Sequence, residues 1–548
     1  LNTFGNYNTA IGSGALGKNT TGCYNIALGW GAIGNCSNTG HCNVAIGTLA
    51  LYNNTTGNHN VAIGACAMLD NTTGCTNVAV GYGALRSNAA GSDNVAIGRL
   101  ALGSNTICGG NVAVGSQALF SNSTGCQNIA IGCAALYCNN FGIGNIGIGF
   151  QAICGNTTGC NNVALGYQAL RANTFGSFNF AAGEQTLFQN TTGCNNIAIG
   201  RLSLQGNTTG KNNIAQGYRS LFTNTWGLNN LAQGYFALYN NVSGCNNIAI
   251  GCSALQCNTI GSDNNAQGFG ALYSNTTGNR NIAIGCRSLY SNTIGNNNIG
   301  QGDCALSLNT TGSNNVAIGR SPLYCNLGGN ANIALGFEAL YLNVSGAINI
   351  AQGYRASYSN TTGGCNIAVG ACALYSTTIG NNNVAQGYKA GSTNTTGVNN
   401  VFIGCNAQGA SATSTNTITF GDANIQALRA QVTTITALSD ARDKTDIMDI
   451  PLGLQVIRDL RPVKFTWNTR DGSRVGVKSA GFIAQEVLAV SNKYGLGDWL
   501  HLVLEDNPEK LEATVANVFP VLIRAVQELA DQVDYLTNEV AVLKNPLN

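Results

Sequence analysis

The chain has 548 residues, of which 72 are glycine, and only 9% are charged and 7% aromatic, with a formal net charge of +2. An average globular chain carries about a quarter charged residues, so a mixed-charge surface is not what keeps this one in solution, and Asn and Thr, present throughout, take that part. The near-neutral balance gives no electrostatic case for nucleic acid, and no apolar run approaches the roughly 18 to 20 residues of a membrane span, so neither nucleic acid nor membrane insertion is expected.

The chain opens on Leu1 rather than Met, as a fragment or processed product does, with no basic-then-apolar leader. An N-terminal attachment part is expected to lie outside it. From there an internal repeat governs the sequence. Counting the Asn of N-(I/V)-A-x-G as position one, it falls at Asn8, Asn25, Asn43, Asn60, Asn77 and Asn94. It then recurs every seventeen residues through Asn196, Asn298 and Asn383 to Asn400. One step, Asn25 to Asn43, is eighteen, with the extra residue near Gly34–Asn38. Residues 1–404 thus read as twenty-four turns, the signature of a solenoid whose units cannot bury a core alone and must stack.

A typical turn is N-I-A-I-G-x-x-A-L-Y-x-N-T-T-G-x-N. Ile197 and Ile199 alternate around Ala198, the period of a short strand with one buried face. Position nine (Leu16, Leu85, Leu136, Leu204, Leu255, Leu306, Leu374) predicts a core ladder. Gly at positions five (Gly12, Gly200, Gly370) and fifteen (Gly57, Gly210, Gly363) is expected to supply positive-φ corners. Asn at positions one and twelve would cap those corners and bond from turn to turn. Position four switches between an aliphatic residue and Gln, as in Gln216, Gln233, Gln267, Gln301, Gln352 and Gln386. Because buried Gln needs partners, that slot is expected to face a subunit interface. Strands about 4.8 Å apart would stack these turns into a rod on the order of 115 Å long.

Within the repeat, Gly12–Lys18 imitates a phosphate-binding loop, but Asn19 stands where Ser or Thr is needed and most of the glycines belong to corner or loop slots. Sequons at position twelve (Asn71, Asn156, Asn207, Asn309) read as turn chemistry rather than glycan sites. The 21 cysteines show no C-x-x-C pair, which removes zinc and thioredoxin-like readings. They are expected to be small buried or turn-filling thiols, with disulfides in some turns as the alternative. Residues 1–438 hold seven scattered acidic residues, Asp70, Asp93, Glu184, Asp263, Asp303, Glu338 and Asp422, while His41 and His59 occupy adjoining slots one turn apart. No catalytic set follows from that spacing, and no metal or cofactor is expected.

The strand motif N-(I/V)-A-(I/V)-G resembles the head repeats of trimeric autotransporter adhesins, which are left-handed parallel β-rolls packed as trimers. The likeness covers the strand and not the loop, and those heads have shorter repeats.

Residues 405–438 read as a small-residue linker, A-Q-G-A-S-A-T-S-T-N, followed by a β-rich neck from Ile418. From Ser439 the composition changes: five of the six prolines and most of the charge lie beyond it. The opening S-D-A-R-D-K-T-D-I, then L-R-P-V-K-F-T-W (Leu460–Trp467) and G-F-I-A-Q-E-V (Gly481–Val487), resemble the intramolecular chaperone domain of endosialidases and phage tail fibres, peptidase family S74. The resemblance implies a small α+β domain, 439–518, that trimerises, helps the fibre to fold and then cuts itself off at Leu438–Ser439. It would make Ser439 the nucleophile and Lys444 its base, with Asp440, Arg442, Gln485 and Glu486 supporting the motif. A serine hydroxyl needs such a base, and lysine serves when burial lowers its pKa. Five residues apart on a regular helix would put the two about 140° from each other, so a turn or a neighbouring subunit must join them.

Residues 519–548 read as a coiled-coil helix, with Phe519, Val526, Val533 and Val540 in one seam position and Leu522, Leu529, Leu536 and Leu543 in the other. The fold expected is therefore mainly β: a parallel β-solenoid, trimeric by resemblance, followed by the chaperone domain and its helix. The function expected is a homotrimeric virion fibre of the phage tail-fibre kind. Its partners would be itself, other virion proteins through the missing N-terminal part, and a host-surface glycan or protein. Autoproteolysis would be its only enzymatic act. An extracellular adhesin or structural filament is the alternative; an adhesin of the autotransporter kind would carry a membrane β-barrel anchor where this chain has a heptad helix. A glycan-cleaving spike would need clustered carboxylates.

Overall fold

A computed structural model describes residues 4–35, 37–425, 444–468, 475–505 and 511–544. Contacts divide the chain into two units, Leu1–Asn349 and Ile350–Asn548. The repeat forms a parallel β-solenoid. In the first unit, three-residue strands run from β1 (Thr9–Ile11) to β20 (Ile333–Leu335), and neighbours one repeat apart within it pair in parallel. The register is residue for residue, as in Ile197↔Ile214, Ala198↔Ala215 and Ile199↔Gln216. In the second unit β21 (Ile350–Gln352) to β25 (Ile418–Phe420) follow the same rule, and Val401↔Ile418 carries the stacking one rung past Gly404.

The interior is narrower than the apolar pattern suggests. Ala198 is fully buried while Ile197 and Ile199, on either side of it, are each 39% exposed. The strand turns its small side chain inward because Ala at positions three and eight and Leu at position nine already fill the space. Ala254 and Leu255 are both at 0% exposure. Position nine is thus the core ladder expected of it, although its leucines take left-handed backbone (Leu204, φ 52°). For a residue with a Cβ that conformation costs about 1 to 2 kcal/mol, which packing on the turns above and below must offset.

Two buried columns of amides complete the core. At position twelve, Asn207 Nδ2 donates to Asn190 Oδ1 at 2.7 Å and to Gly210 O at 3.1 Å. At position one, Asn213 sends both its backbone N–H and Nδ2 to Asn196 Oδ1, at 3.0 and 3.1 Å. Along most of each column a buried amide is therefore satisfied by its copy one turn away, which is what allows an amide to occupy a core at all. The sequons are explained in the same way: Asn71, Asn156, Asn207 and Asn309 are fully buried ladder members.

Only one of the two glycine columns meets expectation. Position five has the positive φ foreseen, with Gly200 at +117° and Gly370 at +133°. Gly57, Gly210 and Gly363 at position fifteen do not, and are glycine because a Cβ would collide with the next turn. At Gly210 it would lie 2.6 Å from Gly227 O. The eighteen-residue turn keeps the amide column continuous by placing Asn38 on Asn19, with Asn38 Nδ2 to Asn19 Oδ1 at 2.7 Å.

The C-terminal part contains α1 (Leu454–Asp459), a hairpin of β26 (Val463–Thr466) and β27 (Lys478–Gly481), α2 (Ala484–Tyr494), α3 (Gly497–Leu500), the short pair β28 (Val503–Leu504) and β29 (Glu512–Ala513), and α4 (Val518–Lys544). Val456, Leu460, Val487, Leu496, Leu500, Leu502, Val503 and Val521 form its core.

Candidate functional site

The solenoid offers no catalytic constellation among the described residues. Several of its acidic groups take a partner from the adjoining turn: Glu184 meets Arg201 at 3.1 Å, Asp303 meets Arg320 at 3.9 Å, and Asp70 accepts from Asn53 at 3.0 Å. Gly12–Lys18 is a rung corner with no helix behind it and Lys18 exposed. No three His, Cys, Asp or Glu side chains among the described residues are placed to hold a metal ion, and no helix there is long and apolar enough to cross a membrane.

What the solenoid does present is an outward strand face without charge. Positions two and four carry no charged residue in any turn. Their aliphatic side chains stay partly open to solvent, as at Ile97 (40%), Ile318 (40%) and Ile403 (39%). The position-four glutamines belong to this face: Gln216 and Gln233 are register partners on neighbouring strands, half-buried and exposed respectively. Isolated exposed aliphatics are ordinary on a protein surface, whereas here they recur from turn to turn.

In the C-terminal domain the second and third motif segments meet. Leu460 is buried in the core, and the next residue, Arg461, reaches Glu486 in the first turn of α2. Arg461 Nε donates to Glu486 Oε2 at 3.0 Å and its Nη2 to Glu486 Oε1, a two-pronged pair. These hydrogen bonds hold the Glu486 carboxyl below its usual range and raise the guanidinium. Glu486 therefore has a structural role that its motif position alone did not disclose; the signal was an Arg in one motif and a Glu in the other. A second clasp lies nearby, where Asp459 accepts from Lys493 at 2.6 Å and from Tyr494 at 2.7 Å.

α1 and α4 are joined as tightly. Gly453 has no room for a Cβ, which would meet the Ala525 backbone of α4. From α4, Glu528 caps the shorter helix by accepting from Gly453 N at 3.1 Å and Leu454 N at 2.7 Å. Those backbone donors, Leu454 first, hold its carboxyl below the usual range, with Arg524 adding to the effect.

Of the processing residues expected from sequence, Lys444 lies on an exposed segment and Gln485 on the exposed side of α2. Leu438, Ser439, Asp440 and Arg442 fall outside the described residues.

The helix α4 has two working faces. Val521 and Ala525 are buried against its own domain. The heptad seam points elsewhere, with Val526 57%, Leu529 48%, Val533 53%, Leu536 57% and Val540 47% exposed. The first turns therefore pack on the domain through residues outside the seam, and the seam is open along its whole length.

Comparison with known families matches residues 439–496 to the model described as chaperone of endosialidase, peptidase S74. No curated protein and no solved structure matched the chain.

Proposed function

We propose that the chain is the structural shaft of a virion appendage, a homotrimeric fibre of the tail-fibre kind, whose C-terminal domain sets chain number and register during folding. The carrying observation is the endosialidase-chaperone match at 439–496 directly behind a repeat solenoid. A register setter has a physical task here. Neighbouring chains displaced by one turn would recreate almost every contact, since successive rungs are nearly identical, so the shaft discriminates poorly against slippage. A trimerising domain with an open heptad seam removes that ambiguity before the shaft closes. The uncharged strand face supplies the surface along which copies then pack, with the position-four glutamines pairing across it.

Processing belongs to the same proposal. The Ser439 hydroxyl adds to the Leu438 carbonyl while Lys444 takes its proton. The Ser439 amine leaves as the peptide bond breaks, and water hydrolyses the ester. The released shaft is the appendage, placed to meet a host-surface glycan or protein.

The test compares the full chain with Ser439→Ala on denaturing gels and by sedimentation. The parent should shed the segment from Ser439 onward, the variant should remain whole, and both should sediment as trimers. An intact parent under folding conditions would remove the cleavage, and a monomeric parent would remove the assembly.

A further inference from the structure

Cys108 stands in the position-fifteen slot, where the other turns from Gly57 to Gly397 carry glycine. The glycines in that column sit where a Cβ would press on the next turn, so Cys108 departs from the rule of its column. Cys108 and Cys126, 18 residues apart on successive turns, are joined as a disulfide with Cα atoms 5.2 Å from each other, inside the range such a bridge requires. Stacking brings three more pairs of cysteines to directly hydrogen-bonded positions on successive turns. Cys42 N donates to Cys23 O at 3.0 Å, Cys138 N to Cys154 O at 2.9 Å, and Cys304 N to Cys286 O at 2.9 Å. None of these six thiols is in the core; all are half-buried or exposed, within reach of a small oxidant.

We propose that the solenoid is stapled lengthwise by cross-turn disulfides, at Cys108–Cys126 and at Cys23–Cys42, Cys138–Cys154 and Cys286–Cys304, closed by a small disulfide oxidant of the glutathione type. In each closure one thiolate attacks the oxidant's disulfide, releasing one reduced oxidant thiol and leaving a mixed disulfide. The partner thiolate then displaces the second, so two protein thiols are oxidised to one S–S bond while one oxidant disulfide is reduced to two thiols. Burial raises the Cys154 and Cys304 thiols, and the neighbouring Cys138 and Cys286 add to this, which places the paired sulfurs within each other's electrostatic reach. Other cysteines supply internal controls. The carbonyls of Cys75, Cys160 and Cys245 accept from Asp93 N, Phe178 N and Asp263 N on the next turn, at 3.1, 3.0 and 3.0 Å, so no cysteine holds the place that Cys42 holds opposite Cys23.

The experiment incubates the full chain with reduced or oxidised glutathione, blocks free thiols with N-ethylmaleimide, and maps peptides without reductant. In the oxidised sample four cross-linked peptide pairs are expected, with Cys75, Cys160 and Cys245 blocked. Amide exchange at the rungs flanking Cys108 should slow by roughly ten-fold or more on oxidation, and this slowing should vanish in Cys126→Ser. Blocked thiols at Cys23–Cys42, Cys138–Cys154 or Cys286–Cys304 after full oxidation would overturn the stapling pattern, as would cross-links among the control cysteines. Free thiols at Cys108 and Cys126 would overturn the proposal outright.

Discussion

The solenoid and the C-terminal domain solve burial of polar groups in opposite ways. In the solenoid most of the buried amides are met by a copy of themselves one turn along, as Asn207 is by Asn190, so one residue choice is validated many times over. In the C-terminal domain each polar contact is made once between unlike partners, as with Arg461 and Glu486 or Glu528 and the α1 N-terminus. Repetition gives the first region stiffness without an address. Heterogeneity gives the second a unique arrangement, and with it the means to specify assembly.

The sharpest way to break that contrast is steric. Gly217 has φ +130°, and a Cβ there would lie 2.5 Å from Gly234 O, whereas Gly495 has φ +61° with nothing within 4 Å. Gly217→Ala should cost about 3 kcal/mol or more through clash and strain together. Gly495→Ala should cost only about 1 kcal/mol, the left-handed conformation alone. Loss of amide protection at Ile214–Gln216, compared with that around α2, measures both. Equal losses would mean that the stacked turns yield as easily as an open helix end.

Acid separates the regions next. Glu528, Glu486 and Asp459 are all held below their ordinary range by hydrogen bonds in the folded C-terminal domain. A depressed carboxylate stabilises the fold above its unfolded pKa, about 4, and that stabilisation is lost as pH falls through the folded value. The far-ultraviolet helix signal, which among the described residues the C-terminal domain alone supplies, should therefore melt earlier as pH drops below about 4. Glu528→Gln should lower its stability at neutral pH by about 1 kcal/mol, the worth of a helix cap, and flatten the acid dependence. An unchanged pH profile would show that the cap does not form.

The smallest effect concerns a flaw in the repetition. Thr377 occupies the amide column, and Asn394 Nδ2 reaches its Oγ1 only at 3.4 Å. Thr377→Asn would restore a full amide rung and should raise stability by about 0.5 to 1 kcal/mol. Denaturant midpoints of parent and variant decide it, and a destabilised variant would show that the hydroxyl is preferred at that turn.

Much of this architecture is legible in the repeat spacing, because a period of seventeen with one apolar column can only be stacked turns. Which way the strand faces was not legible. Ile is more hydrophobic than Ala, and only the narrow interior, already filled by Leu255 and its equivalents, reverses the choice. Nor was the cause of the second glycine column legible, since closeness of backbones leaves no trace in a single turn's sequence. The thiols, expected as small buried or turn-filling groups, are half-buried or exposed where they are free. At the other end the heptad was plain, but Val521 and Ala525, which tie α4 to its own domain, lie outside that pattern. The Arg461–Glu486 clasp joins residues 25 apart that only the fold brings together.

The amide columns have one more consequence. Because each Asn accepts from the turn after it and donates to the turn before, excising the seventeen residues from Asn196 to Asn212 would bring Asn213 onto Asn179 with the same bonds that Asn196 now makes there. Shaft length is therefore a heritable quantity that can change by whole units, through duplication or loss of one coding segment, without any interface having to be reinvented.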